Sequence, residues 1–170
     1  MACKIFPLAV CAASVALAQA ACAAPFTDRQ KAELLAAQNK YRAELGEGAL
    51  VWSDKLAGSA QSWAEHLASV VHAMVHSGAI ATGENIATWP AGHATLTRLV
   101  EIWGAEKQYF INASFPDVSR TGDWKSVGHY SQLVWRRTTE VGCGLATGGG
   151  QDYLVCHYNP QGNFMGEKVF

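Results

Sequence analysis

Three consecutive glycines, Gly148-Gly149-Gly150, stand between two alternating runs that each carry one cysteine, and this arrangement constrains the fold more than any other feature of the 170 residues. The runs Val141-Cys143-Leu145 and Tyr153-Val155-His157 have the two-residue periodicity of strands, and a glycine pair supplies the positive φ angles that a two-residue hairpin turn requires. A turn centred on Gly149-Gly150 sets Cys143 directly opposite Cys156, where the two sulfurs can bridge. The alternative is a pair of buried free thiols.

Compartment bears on that choice. Lys4 is the only charge in the first two dozen residues, and Ile5 to Ala21 is apolar apart from Pro7, Cys11, Ser14 and Gln19. The run is short for a membrane span, and both Ala18-Gln19-Ala20 and Ala21-Cys22-Ala23 fit a small-x-small cleavage site. Residues 1–23 are therefore expected to be a signal peptide cut between 20 and 24. The alternatives are a retained anchor helix and a lipidated Cys22, the latter disfavoured by Gln19 three positions before it. Export removes Cys3, Cys11 and, with the later cut, Cys22, which leaves Cys143 and Cys156 as a pair in an oxidising setting. The protein is expected outside the cell, or in the periplasm of a Gram-negative bacterium, without a stable membrane anchor.

The globular part is expected to be one domain over residues 27–170, because 49% of the chain is hydrophobic, 16% is charged, and no linker, repeat or low-complexity tract interrupts it. Thirteen basic against fourteen acidic residues give a formal charge of −1, so no basic surface exists to hold a nucleic acid. Thr27 and Gln30 form a capping box ahead of a helical stripe of Leu34, Leu35, Gln38, Tyr41 and Leu45, closed by Gly46. Ser53 or Asp54 opens a second helix that runs to about Val71, and a third spans Thr95 to Phe110. Between them, residues 72–95 carry four glycines or prolines and read as irregular backbone. The runs 129–136, 140–147 and 152–158 read as strands. Helices first and strands last indicate an α+β domain with helices packed on an antiparallel sheet.

Glu106 falls on the same side of the third helix as Trp103, and a carboxylate aimed at a core needs a compensating partner. The irregular segment offers His76 and Glu84, and His129 opens the first late strand, so two imidazoles and two carboxylates can converge on one cleft. Such a set suits a borderline divalent ion, zinc above all, with the glutamates either completing the shell or fixing each imidazole tautomer. From spacing alone, the reading to prefer is a structural clamp in which His and Glu satisfy one another.

At the level of motifs the chain resembles the CAP superfamily of cysteine-rich secretory proteins, insect antigen 5 and plant pathogenesis-related class 1 proteins (the SCP domain). The resemblance rests on Gly128-His129-Tyr130-Ser131-Gln132-Leu133-Val134-Trp135-Arg136-Arg137-Thr138 and on Tyr153-Leu154-Val155-Cys156-His157-Tyr158-Asn159-Pro160-Gln161-Gly162-Asn163-Phe164. Val75-His76-Ser77-Gly78, Gly83-Glu84-Asn85-Ile86-Ala87 and Trp103-Gly104-Ala105-Glu106-Lys107-Gln108-Tyr109 follow the family order, so the likeness covers about residues 30–170. It implies a three-layer α-β-α sandwich with a central antiparallel sheet. It also implies that His76, Glu84, Glu106 and His129 match the family's cation-binding tetrad. The family's sterol-binding loop corresponds to about residues 112–127, where Phe115 and Trp124 either cover an apolar ligand or pin the loop to the domain. Fatty acids bind other members in a groove between helices.

Two departures stand out. The first helix has Gln38-Asn39-Lys40-Tyr41-Arg42 where the family has His-Asn-x-x-Arg, which is expected to alter a helix contact and leave the metal site alone. Plant relatives carry six cysteines, so a bacterial or fungal member fits this chain better. The leading functional reading is a secreted, monomeric, non-enzymatic binder of a sterol or fatty acid, related to defence or host–microbe proteins. A second is a metal-assisted hydrolase with Glu84 or Glu106 as general base, although no His-Glu-x-x-His spacing supports it. A third is an interaction or effector module, read by a protein partner, in which the tetrad is purely structural.

Overall fold

A computed structural model of the chain describes residues 26–78 and 81–170. The expected signal peptide and its cysteines lie outside the described residues. Helix α1 (Asp28–Ala43) starts at the Thr27 box, with Thr27 Oγ1 accepting from Gln30 N and Gln30 Oε1 accepting from Thr27 N. A two-residue strand β1 (Val51–Trp52) leads into α2 (Asp54–His66), whose last turn widens into a π-helical turn over Leu67–Val71. Strand β2 is Gly83–Pro90, α3 is Leu96–Gly104, α4 is Gly128–Leu133, and the hairpin strands are β3 (Glu140–Gly148) and β4 (Gln151–Asn159).

The hairpin has the register expected from the sequence. Cys143 pairs with Cys156 across β3 and β4, their Cα atoms are 4.1 Å apart, and the sulfurs are bridged. Gly149 and Gly150 take φ of 58° and 77°, the left-handed region that a side chain resists. The sheet order is β1-β3-β4-β2, antiparallel except for the short parallel pairing of β1 with β3.

Alternation on β4 assigns the layers. Leu154, Cys156 and Tyr158 enter the larger core with Leu34 of α1, Leu99 and Trp103 of α3, and Tyr130 and Leu133 of α4. Tyr153 and Val155 enter a second core with Ala60, Ala64 and Leu67 from α2 and its extension. One helix layer therefore covers each face, which is the three-layer sandwich. On the α2 side, Gly142 and Gly144 let the helix backbone lie directly on β3, since a Cβ at either would overlap backbone atoms of Ala57 or Gln61.

Three expectations require correction. The run 129–136 does not begin a strand: residues 128–133 form α4, because Tyr130, Ser131, Gln132 and Leu133 are all buried and their apparent alternation carried no facing information. The segment 72–95 is not irregular throughout, since β2 occupies its centre as a full-length partner of β4. The third helix stops being α-helical at Gly104 and tightens into a 3₁₀ turn over Ala105–Tyr109, and Glu106 lies in that turn.

Candidate functional site

Glu84 lies opposite His157 in the β2–β4 register, so both side chains leave the sheet on the same face. Glu84 Oε2 accepts from His157 Nε2 at 3.0 Å, while Oε1 accepts from His76 Nδ1 at 2.5 Å and from Ser77 N at 3.0 Å. Burial pushes the Glu84 carboxyl upward, but the hydrogen bonds from His157, His76 and Ser77 outweigh it and hold the group far below the usual carboxylate range. The reciprocal bond from Glu84 raises His76, against a smaller opposing effect of burial. His76 itself is open to solvent, with 63% of its side chain exposed.

A second His–Glu pair comes from the other helix layer. The 3₁₀ turn after α3 presents Glu106 to the start of α4, where Oε1 accepts from His129 Nδ1 at 2.6 Å and Oε2 accepts from His129 N and Tyr130 N, each at 3.0 Å. Glu106 thus satisfies two amide hydrogens that a helix start leaves without partners and fixes an imidazole with the same carboxylate. The His129 ring stacks on Trp103, with centroids 6.3 Å apart, and Trp103 is anchored by its Nε1 to Ile86 O at 3.0 Å.

Asn85, the residue after Glu84, points to the opposite face of β2. Its Nδ2 donates to His129 O at 3.1 Å and to Tyr158 Oη at 3.3 Å, and Tyr158 Oη donates to Gln38 Oε1 at 2.8 Å. Burial pushes Tyr158 well above an ordinary phenol, so the hydroxyl remains a donor. The hydrogen bonds of the Gln38 side chain run to the sheet, to Tyr158 Oη and to Cys143 Sγ at 3.7 Å, and through Tyr158 and Asn85 it is connected to His129 O.

Both imidazoles border one cleft of about 570 Å³, with Glu84 on its wall and Glu106 behind His129, outside the lining. His76, Glu84, Asn85 and His129 form its polar wall, and Phe115, Trp124 and Met165 form the apolar one. Phe115 is only 2% exposed and packs against Trp124 with ring centroids 5.1 Å apart, so it both pins the loop and lines the cleft. Met165, 69% exposed, stands at the rim. Among the described residues, no three His, Cys, Asp or Glu side chains converge into a ready-made metal shell. Each carboxylate is instead bound to an Nδ1, which leaves the two Nε2 atoms as the nitrogens without a carboxylate partner. That donor chemistry fits an imidazole-preferring cation supported by carboxylates behind each ring.

Sequence reasoning brought together His76, Glu84, Glu106 and His129 but missed Asn85, His157 and Met165. His157 and Asn85 follow from the β2–β4 pairing, and the signal for that strand was obscured by Gly83 and Pro90 at its ends. Among the described residues no helix is long and apolar enough to cross a membrane.

Comparison with known proteins agrees with the geometry. The profile of the cysteine-rich secretory protein family (CAP) matches residues 35–158. Pathogenesis-related protein 1A of Nicotiana tabacum is 36% identical over 139 residues, 81% of this chain and 79% of its own length. Protein PRY2 of Saccharomyces cerevisiae is 41% identical over 122 residues, 71% of this chain but 33% of its own length. The solved structure of BmVAL-1 superposes with a TM-score of 0.68 at 27% identity, covering 85% of this chain and 83% of that one.

Proposed function

The chain belongs to the cysteine-rich secretory protein (CAP) family, and on that footing we propose that it is a secreted, non-enzymatic binding protein whose cleft takes a sterol or fatty acid beside a divalent cation, with zinc preferred. A place among defence or host–microbe proteins is part of the proposal and follows the pathogenesis-related relatives.

The observation that carries the reading is the junction of two unlike walls in one cleft: imidazoles backed by carboxylates on one side, and Phe115, Trp124 and Met165 on the other. A volume of about 570 Å³ falls within the range of small-molecule sites. Burial of an apolar ligand there is worth roughly 25 cal/mol per Å² before the costs of ordering. His76 and His129 would hold the cation through Nε2, with Glu84 and Glu106 fixing the rings and water filling the remaining positions. Held by these two rings, a cation would tie the segment before β2 to the start of α4, next to the aromatic loop.

The hydrolase reading draws less support from the site. A general base needs a carboxylate oxygen within reach of the water it deprotonates. Both oxygens of Glu84 and both of Glu106 are already occupied by donors from the protein.

Equilibrium binding of labelled cholesterol and palmitate to the purified mature protein, with unlabelled competitor, in zinc and in chelator, tests the proposal. Saturable, competed binding is expected. Absence of binding in both conditions would remove the lipid reading and favour an interaction module.

A further inference from the structure

His157 is 3% exposed and does not line the cleft, yet it contacts the carboxylate on which one cleft imidazole depends. It faces α2, where Ser59 Oγ stands 2.7 Å from its Nδ1. Ser59 Oγ also stands 2.9 Å from Leu56 O, and its single proton can serve only one of these two acceptors. Whichever acceptor takes that proton, the ionised Glu84 Oε2 at 3.0 Å can only accept. Under either arrangement Nε2 carries a hydrogen directed at Glu84 Oε2. The hydrogen bond to the carboxylate is thus fixed by proton accounting.

We propose that His157 is the positioning residue of the cleft: by holding Glu84 Oε2 from behind, it keeps Oε1 against His76 Nδ1 and so turns His76 Nε2 outward as a ligand. The proposal rests on the reading of the cleft as a cation site.

Two facts give His157 this role. His76 is mostly exposed, so its own packing does little to choose a ring orientation, and the bond from Nδ1 to Glu84 is what selects one. Glu84 is anchored by His157, His76 and both the side chain and the amide of Ser77, and of these Ser77 N and His76 Nδ1 act on Oε1. His157 is the buried ring that holds Oε2, so its loss loosens the carboxylate about its last bond and offers His76 a poorer acceptor. This is how outer residues set metal affinity: they fix the tautomer and direction of a ligand they do not share with the metal.

The test separates positioning from packing by amide geometry. In His157→Gln the amide nitrogen falls near the place of Nε2 and keeps the bond to Glu84. In His157→Asn it falls near Nδ1, keeps Ser59 and loses Glu84. Both changes reduce bulk and remove the ring, so a purely structural role would affect both variants alike. The readouts are long-range proton–nitrogen spectra of the His76 ring in the full chain without metal, and calorimetric titration with zinc alone. Wild type and His157→Gln are expected to show a single His76 tautomer protonated at Nδ1 and zinc affinities within about threefold of each other. His157→Asn is expected to show mixed tautomers and a loss of about 10–100-fold in zinc affinity. Equal tautomer spectra and equal zinc affinities in the two variants would overturn the proposal. If wild type shows the single tautomer but binds no zinc, the cation reading fails while the spectra still decide the role of His157. Should His157→Asn fail to fold, Ser59→Ala with His157→Gln isolates the Glu84 contact, and loss of the single tautomer there would be contrary to the account.

Discussion

Arg42 is 1% exposed and makes no hydrogen bond to a carboxylate. Its guanidinium donates instead to four carbonyls: Gly48 O at 2.6 Å, Leu133 O at 3.1 Å, Trp135 O at 2.9 Å and Thr138 O at 3.0 Å. Burial lowers the Arg42 pKa, and the charge of Glu47 opposes that only in part. One side chain of α1 thus ties down the chain leaving α4, which carries the stretch from Leu133 to Thr138 into β3. Arg42→Met keeps the stem and roughly the volume, removes the buried charge and deprives the four acceptors of their donor. Trp135 O retains the amide of Thr138, which leaves three carbonyls with the greater loss. At about 1–3 kcal/mol for each unsatisfied buried group, the gross cost is of order 3–9 kcal/mol. Relief from burying a cation offsets several kcal/mol of that, so a net loss of about 3 kcal/mol is expected. That corresponds to a fall in Tm of roughly 6–12 °C for a domain of this size. Urea unfolding with the disulfide intact measures it, and an unchanged denaturant slope would show that the unfolded state is not the cause. A methionine variant as stable as wild type would refute the reasoning, since the carbonyl clamp would then contribute nothing beyond what apolar packing supplies.

Other changes probe other joints of the structure. Replacing Cys143 and Cys156 together by alanine removes a cross-link separated by 13 positions and is expected to cost about 3 kcal/mol in urea unfolding, whereas no loss would mean the hairpin is already ordered in the unfolded chain. Gly144→Ala drives a methyl group into the backbone of α2 at Ala60 and Gln61, and a loss of at least about 1–3 kcal/mol is expected, with an unshifted Tm as the contrary result. Glu84 has a folded pKa below its ordinary 4.5, so the stability it confers is complete above that pH and declines as the pH falls toward the folded value. Glu84→Gln should flatten the fall in Tm below about pH 4.5, and an identical acid limb in the variant would count against the assigned network.

What could be seen in the sequence was what local rules determine. The Thr27–Gln30 box needs only four residues to declare a helix start, and the glycine turn with two flanking cysteines declares a register. Strand β2 was hidden because Gly83 and Pro90 punctuate it, and its identity comes from eight residues paired with β4 far along the chain. Helix α4 was hidden for a different reason: Tyr130 to Leu133 are all buried, so periodicity had no exposed face to report there. The site inherited both errors. The four tetrad residues were recognisable as chemical types and as family motifs, but the role of each depended on the missed elements. Glu106 serves the start of α4, and Glu84 answers His157 across the β2–β4 pair. The motif around Gln38 suggests an altered helix contact, whereas a buried Tyr158 connects Gln38 to Asn85 and the carbonyl of His129.

The central claim, that the cleft imidazoles form a cation site, is tested most directly by calorimetric titration of zinc into the wild-type chain and into the His76→Ala, His129→Ala double variant. The account expects one zinc per wild-type chain and none in the variant, with the variant still folded by circular dichroism. Zinc affinity unchanged in a folded double variant would contradict it.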